Sequence, residues 1–359
     1  MFLVDKYRPK KISDMIFHRE IIEELAYISI HENVPHVIIS GPPECGKRVL
    51  ANFFLELLYT NSIYKLSKRD YSIHSASSKK ELIEIQQSSH HIIIEPTNTN
   101  HDKIILQEII KDYARRRTFD DFTSTRKFKS ILIYNLENLA SSSQAALRRT
   151  MEIYAKTCRF IFICNNLSKV LDPLRSRCRI FSVGYPSLEQ INRTLCHISL
   201  MEGISLMGKQ QQVIQNKIFK KCDGNIKKAV WTLDILRLTH DNNFLQLPCD
   251  QSFNLIVKMI MTAHTCKDIV SLFDDKIRNI VYDLLITNIR GTDIIINILN
   301  RLLEQIDDWD ICAVLAETAR EAEFNLVHGR REIIHIDFFI ATAIKLILVN
   351  NTNKGSKAK

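Results

Sequence analysis

Val37-Ile-Ile-Ser-Gly-Pro-Pro-Glu-Cys-Gly-Lys-Arg48 decides how this chain reads. The apolar Val37, Ile38 and Ile39 predict a buried strand. Gly41 to Lys47 then fits G-x-x-x-x-G-K, with Pro42 directly after the first glycine and Gly46 before the lysine. Arg48 to Leu58 carries apolar residues at helical spacing and predicts the helix that follows. Strand, loop and helix in this order are the context that a phosphate-binding loop requires. Backbone N–H groups and the helix N-terminus would face phosphate oxygens, and Lys47 would add a point charge. Two positions depart from the pattern. Arg48 stands where a Ser or Thr would ligate Mg²⁺, and Glu44 replaces a usual small residue and brings a negative charge near the phosphates. The loop reads as built to hold a nucleotide and unfit to hydrolyse one.

A second, independent loss lies downstream. Lys129-Ser-Ile-Leu-Ile-Tyr-Asn135 predicts another buried strand. In a phosphate-loop ATPase an acidic residue here holds Mg²⁺. Here the tip is Tyr134 and Asn135, and Glu137 lies too far along. Mg²⁺ is usually held by one or two carboxylates plus phosphates. With Arg48 and Tyr134 in those places neither usual protein ligand remains, so no metal site is expected.

The chain of 359 residues suggests two or three domains. Its net charge of +9 favours an anionic partner, nucleic acid first. The nine cysteines are scattered with no C-x-x-C pair. That argues against zinc or a disulfide framework and for a reducing compartment, with the thiols as small buried residues. No signal peptide is read, no apolar run reaches the length of a membrane span, and no membrane partner is expected.

Val4-Asp-Lys-Tyr-Arg-Pro9 is a basic, aromatic arm. Helices are predicted over 21–32, 103–114 and 141–154, and further strands over 71–75, 91–95, 159–165 and 180–183. Strands alternating with helices predict a parallel sheet. Asp172-Pro-Leu-Arg-Ser-Arg-Cys-Arg179 is an arginine-rich turn. At Pro186 the texture changes. Ser187 and Gln190 fit a capping box, and only helical patterns follow. Asp223-Gly-Asn-Ile-Lys-Lys-Ala-Val230 opens one of those helices with two lysines. Wide apolar stripes after residue 247, such as Ile256, Met259 and Ile260 with Leu284, Leu285 and Ile289, suit helices buried on several sides. The end, 350–359, is polar, basic and expected to be disordered.

Taken together, these pieces resemble the small subunits of replication factor C, the sliding-clamp loader. The resemblance spans almost the whole chain. It is carried by Val4-Asp-Lys-Tyr-Arg-Pro9, the phosphate loop, Ala146-Leu-Arg-Arg-Thr-Met-Glu152, Cys164-Asn165 followed by Ser168-Lys169, and Ser176-Arg177-Cys178. The damaged loop beside an intact Ser-Arg-Cys is similar to the end-of-spiral kind, itself a poor ATPase. The resemblance implies an α/β fold: an AAA+ P-loop core with a parallel sheet (1–186), a small helical lid (187–246) and an all-α C-terminal collar (247–349).

The resemblance also implies roles. Arg177 would act as a trans arginine finger on a neighbour's ATP, since a planar, always-charged guanidinium stabilises a transferring phosphoryl group. Asn165 matches a first sensor and Lys227 a second, with Lys228 the adjacent alternative. Tyr7, Arg8 and Pro9 would close over the nucleotide base, and Gly41, Pro42, Gly46, Lys47 and Arg48 would hold ATP or ADP, without Mg²⁺ at this site. For DNA, Lys103 comes first, Lys111 next, then Arg148; Arg148 and Arg149 lie on the family's inner helix but could equally be structural ion-pair partners, and Arg115 to Arg117 reads as a solvated loop. The implied partners are the other subunits of a hetero-pentamer, the sliding clamp PCNA and primer–template DNA, in the nucleus. The chain itself would hydrolyse little or nothing. Two rivals are a working DNA-dependent ATPase or motor, opposed by residues 48, 134 and 135, and a structural subunit of an alternative checkpoint loader.

Overall fold

The computed structural model describes residues 1–59, 63–74, 80–96, 109–115, 128–203, 218, 222, 224–239, 248–263, 272–306, 308–329 and 331–357. The chain divides into two compact units, Met1–His240 and Asp241–Lys359.

The first unit is built on seven strands: β1 His36–Ser40, β2 Ser67–His74, β3 Lys80–Gln87, β4 His91–Ile94, β5 Lys129–Ile133, β6 Cys158–Cys164 and β7 Cys178–Ser182. Their order is β2-β3-β4-β5-β6-β1-β7. The run β4-β5-β6-β1-β7 is parallel, with Ile38 opposite Phe162 on one side and Ile180 on the other. Val37, Ile38 and Ile39 are wholly buried, as the continuous apolar run predicts for a strand covered on both faces. Successive side chains alternate between two cores. Val37, Ile39, Leu132, Ile161 and Ile163 join one core with the helices α2 Arg19–Ile30 and α3 Lys47–Tyr59, through Leu25, Phe53, Phe54 and Leu58. Ile38, Ile131, Ile133, Phe160 and Phe162 join the other with α4 Ile110–Arg115 and α5 Ser141–Ile153, through Tyr113, Leu147 and Met151.

The sheet is not wholly parallel. β3 pairs antiparallel with both β2 and β4. The sequence reading found a strand over 71–75 and missed β3. Lys80-Glu-Leu-Ile-Glu-Ile-Gln-Gln87 is too charged to stand out as a buried strand, and it pairs at the sheet's outer end, where polar residues are tolerated. The predicted helix over 103–114 falls mostly outside the described residues.

Further helices complete this unit: α1 Leu3–Lys6, α6 Asp172–Arg175, α7 Leu188–Glu202 and α8 Ile226–Thr239. The capping box forms, with Ser187 Oγ accepting from Gln190 N at 3.4 Å and Gln190 Oε1 accepting from Ser187 N at 3.0 Å.

The second unit packs α9 Pro248–Thr262, α10 Arg278–Ile286, α11 Gly291–Leu303, α12 Trp309–His328 and α13 Glu332–Lys357 around Ile256, Ile260, Ile298, Leu315 and Phe339. Met259, Leu285 and Ile289 pack against this core without being fully buried. Helix α13 runs through 350–357, where disorder was expected; a helix already nucleated extends by one bond per residue at little cost. The eight described cysteines form no disulfide with one another, and of these Cys45, Cys158, Cys164 and Cys222 are buried.

Candidate nucleotide site and arginine turn

The phosphate loop leaves β1 at the carboxyl edge of the parallel sheet, between β6 and β7, where open α/β sheets present ligand crevices. Gly41 is forced by close approach: a Cβ there would stand 2.0 Å from the Val183 carbonyl oxygen. Gly46 has φ +96°, a conformation glycine adopts freely. Lys47 is buried, and its ammonium donates to the carbonyls of Gly41, at 2.7 Å, and Pro42. Burial pulls its pKa below the ordinary lysine value, against the opposing charge of nearby groups that include Glu137.

Glu44 crowns the loop at φ 60°. Its carboxylate does not point into open phosphate space. Oε1 accepts from Lys227 Nζ at 2.9 Å and Oε2 from Asn225 Nδ2 at 2.7 Å. Partial burial opposes ionisation, but the lysine and the amide outweigh it and hold the carboxyl below its usual value. Asn225 also caps α8, its Oδ1 accepting from Lys227 N at 3.0 Å and Lys228 N at 3.2 Å. Of the two lysines, Lys227 is the one bonded to the loop.

Arg48 and Tyr134 meet each other. The guanidinium lies 4.4 Å from the phenol ring centroid, and Nη2 pairs with Glu95 Oε1 at 2.5 Å. Asn135 Nδ2 donates to the same oxygen at 3.1 Å. Burial raises the Tyr134 pKa, and the charges of Arg48 and Arg8 partly offset it. Arg48 and Tyr134 occupy the two sequence positions at which a hydroxyl and a carboxylate would bind Mg²⁺, and a guanidinium over a phenol ring supplies neither ligand. Backbone donors and Lys47 suit phosphate oxygens; this pair does not suit a metal.

Glu137, read from the sequence as lying too far along the strand, turns back toward β6. The short turn Leu136–Asn138 brings its Oε1 within 3.1 Å of Asn165 N and 2.6 Å of Asn165 Nδ2. The tip of β6 is thereby tied to the turn after β5.

The N-terminal arm turns toward α7 and α8. Tyr7 Oη donates to Glu202 Oε1 at 2.7 Å, Lys6 Nζ to the same oxygen at 2.5 Å, and Leu3 N to Asp234 Oδ2 at 3.0 Å. Arg8 is exposed and Pro9 half-buried.

Arg177 follows α6 on an exposed turn. Its Nε and Nη2 donate to Glu152 Oε1 at 2.9 and 2.7 Å, and its Nη1 to Pro173 O at 2.8 Å. On α5, Arg148 and Arg149 are exposed, and Arg148 Nε lies 3.9 Å from the same Glu152 oxygen. Lys111 is half-buried. Arg115 is exposed, with Nε donating to Tyr154 Oη at 3.3 Å. Lys103 and Arg116 to Arg117 lie outside the described residues. Sequence reasoning missed Glu95, Glu152, Glu202 and Asn225 as partners. Only Glu95 left a signal, as the acid that ends a buried strand.

The family described as DNA polymerase III, delta subunit matches residues 17–186. A mimivirus protein (Acanthamoeba polyphaga mimivirus) named as replication factor C small subunit L478 is 48% identical, covering 100% of this chain and 95% of its own. Replication factor C subunit 5 of Schizosaccharomyces pombe is 30% identical, covering 96% of each chain. Human replication factor C subunit 3 is 29% identical, over 96% of this chain and 95% of its own. With a P-loop α/β core, a helical second unit and full-length likeness at these identities, the chain belongs to the replication factor C small-subunit family.

Proposed function

We propose that the chain is one subunit of a hetero-pentameric clamp loader. The loader opens the sliding clamp PCNA and places it on primer–template DNA during replication and repair, in the nucleus. Its own loop holds ADP or ATP without Mg²⁺ and contributes little hydrolysis. Arg177 reaches ATP held by a neighbouring subunit, where its charge stabilises the transferring phosphoryl group. Gly41, Gly46 and Lys47 would hold the phosphates, and Arg48 would supply part of the missing metal's charge.

One contrast carries this reading. Arg48 lies over Tyr134 at 4.4 Å, at the two sequence positions where Mg²⁺ ligands would stand, while Arg177 stands on an exposed turn. A chain without metal ligands that still presents a guanidinium is suited to serve a neighbour. Exposed apolar side chains on α12, among them Trp309, Phe324 and Val327, support packing against sister subunits.

The test is single-turnover hydrolysis in a reconstituted complex in which only the adjacent subunit's site is competent. Arg177→Ala is expected to lower the rate on the order of 10³-fold or more, and Arg177→Lys to rescue it poorly. A wild-type rate for Arg177→Ala overturns the trans assignment. Turnover by the isolated chain would favour the motor reading. Co-purification with a second kind of large subunit would favour the checkpoint loader.

A further inference from the structure

We propose that Glu152 positions the Arg177 guanidinium and couples it to Arg148. The proposal rests on Arg177 acting in trans. Glu152 lies in the last turn of α5, at the end of Ala146-Leu-Arg-Arg-Thr-Met-Glu152. Its Oε1 takes one edge of the Arg177 guanidinium, from Nε at 2.9 Å and Nη2 at 2.7 Å. Nη1 on the other side is held by Pro173 O at 2.8 Å and Ser176 Oγ at 3.4 Å. The plane of the group is therefore fixed from two sides. One helical turn back, Arg148 Nε lies 3.9 Å from that same Oε1.

Stability does not account for this arrangement. Side-chain exposure is 39% at Arg177, 46% at Arg148 and 45% at Glu152, and exposed pairs of this kind contribute little. Orientation does account for it. A long arginine held in one plane gives up its rotamer freedom before the reaction rather than during it. One carboxylate oxygen serves two cations. A phosphate that draws Arg148 away leaves Oε1 to Arg177 alone and tightens its hold. DNA phosphate on α5 is thereby felt at the turn that carries the finger.

The test uses the reconstituted complex with only the adjacent site competent, with and without primed DNA. Glu152→Ala is expected to lower kcat there about tenfold to a hundredfold. KM for ATP and assembly should stay unchanged. Its DNA stimulation should disappear, as it should in Arg148→Ala. Glu152→Gln keeps an accepting oxygen and should recover part of the rate without recovering the DNA response. Wild-type kcat and DNA response for Glu152→Ala, in a complex where Arg177→Ala has lost activity, overturn the inference and leave the trans reading standing. A silent Arg177→Ala overturns both. If Glu152→Ala does not assemble, Glu152→Gln alone decides, and wild-type behaviour with and without DNA refutes the coupling.

Discussion

Glu44 in the phosphate loop and Lys227 at the start of α8 form an ion pair at 2.9 Å, with Asn225 closing on the second carboxylate oxygen at 2.7 Å. The loop's own carboxylate thus engages the lysine that the family resemblance matches to the second sensor. Removing it should free that lysine. Glu44→Gln is expected to raise affinity for ATP by about two- to fivefold at low salt, the size of a partly exposed charge pair. Titration with a fluorescent ATP analogue checks this, and an unchanged or weaker affinity would mean that Lys227 does not reach phosphate.

The stack of Arg48 on Tyr134 predicts that nucleotide binding is metal-independent. Affinity for ADP is expected to be the same with EDTA and with millimolar Mg²⁺. The double variant Arg48→Thr, Tyr134→Asp restores the two usual ligand types and should make binding Mg²⁺-dependent. Calorimetry of both proteins with and without chelator measures the difference. A wild-type chain that loses ADP in EDTA would show that metal is held by other groups.

Hydrogen bonds from Lys6 and Tyr7, with further help from Arg237, hold the Glu202 carboxyl down to about 2. A depressed carboxyl pKa stabilises the fold above the unfolded value of about 4.3 and loses that contribution as pH falls toward the folded value. The Lys6 pKa is raised by the same contact, so from that side the pair is lost only above the ordinary lysine range. The arm should therefore stay docked from about pH 5 to 9 and release between about pH 4 and 2. Hydrogen exchange of residues 3–9, quenched from buffers across that span, reads the release. Glu202→Gln should show it already at neutral pH.

Arg148 and Lys111 are expected to touch DNA phosphate. In the assembled complex each Ala variant should weaken binding equally across sequences. Each should also flatten the salt dependence by roughly one unit for every phosphate it no longer neutralises. Anisotropy titrations over a salt series supply the slope. An unchanged slope for Arg148→Ala would leave Arg148 as a partner of Glu152 only.

Much of this protein is legible in one dimension. Val37 to Ile39, Ile131 to Ile133 and Phe160 to Cys164 announce buried parallel strands, because a strand covered on both faces reads as a continuous apolar run. Gly41 to Lys47 announces the loop, because the backbone can bend that way only with glycine at set points. The losses at 48 and 134 are equally visible, since ligand chemistry depends on residue type. Contacts between distant segments are another matter. That Arg48 and Tyr134 compensate each other, that Glu44 finds Lys227, that Glu137 returns to Asn165 and that Glu152 holds Arg177 all depend on chain crossings. In the sequence Glu152 looks like an ordinary surface charge, and Glu44 and Glu137 show only as departures from the phosphate-loop ATPase pattern. The polar strand β3 was hidden for a related reason, since its pairing is set by its neighbours in the sheet and not by its own apolar pattern. Residue type and local period fixed the elements and the chemistry each can offer. Only the packing of the sheet, which brings the strand tips and the helix starts to one edge, decided which charge meets which.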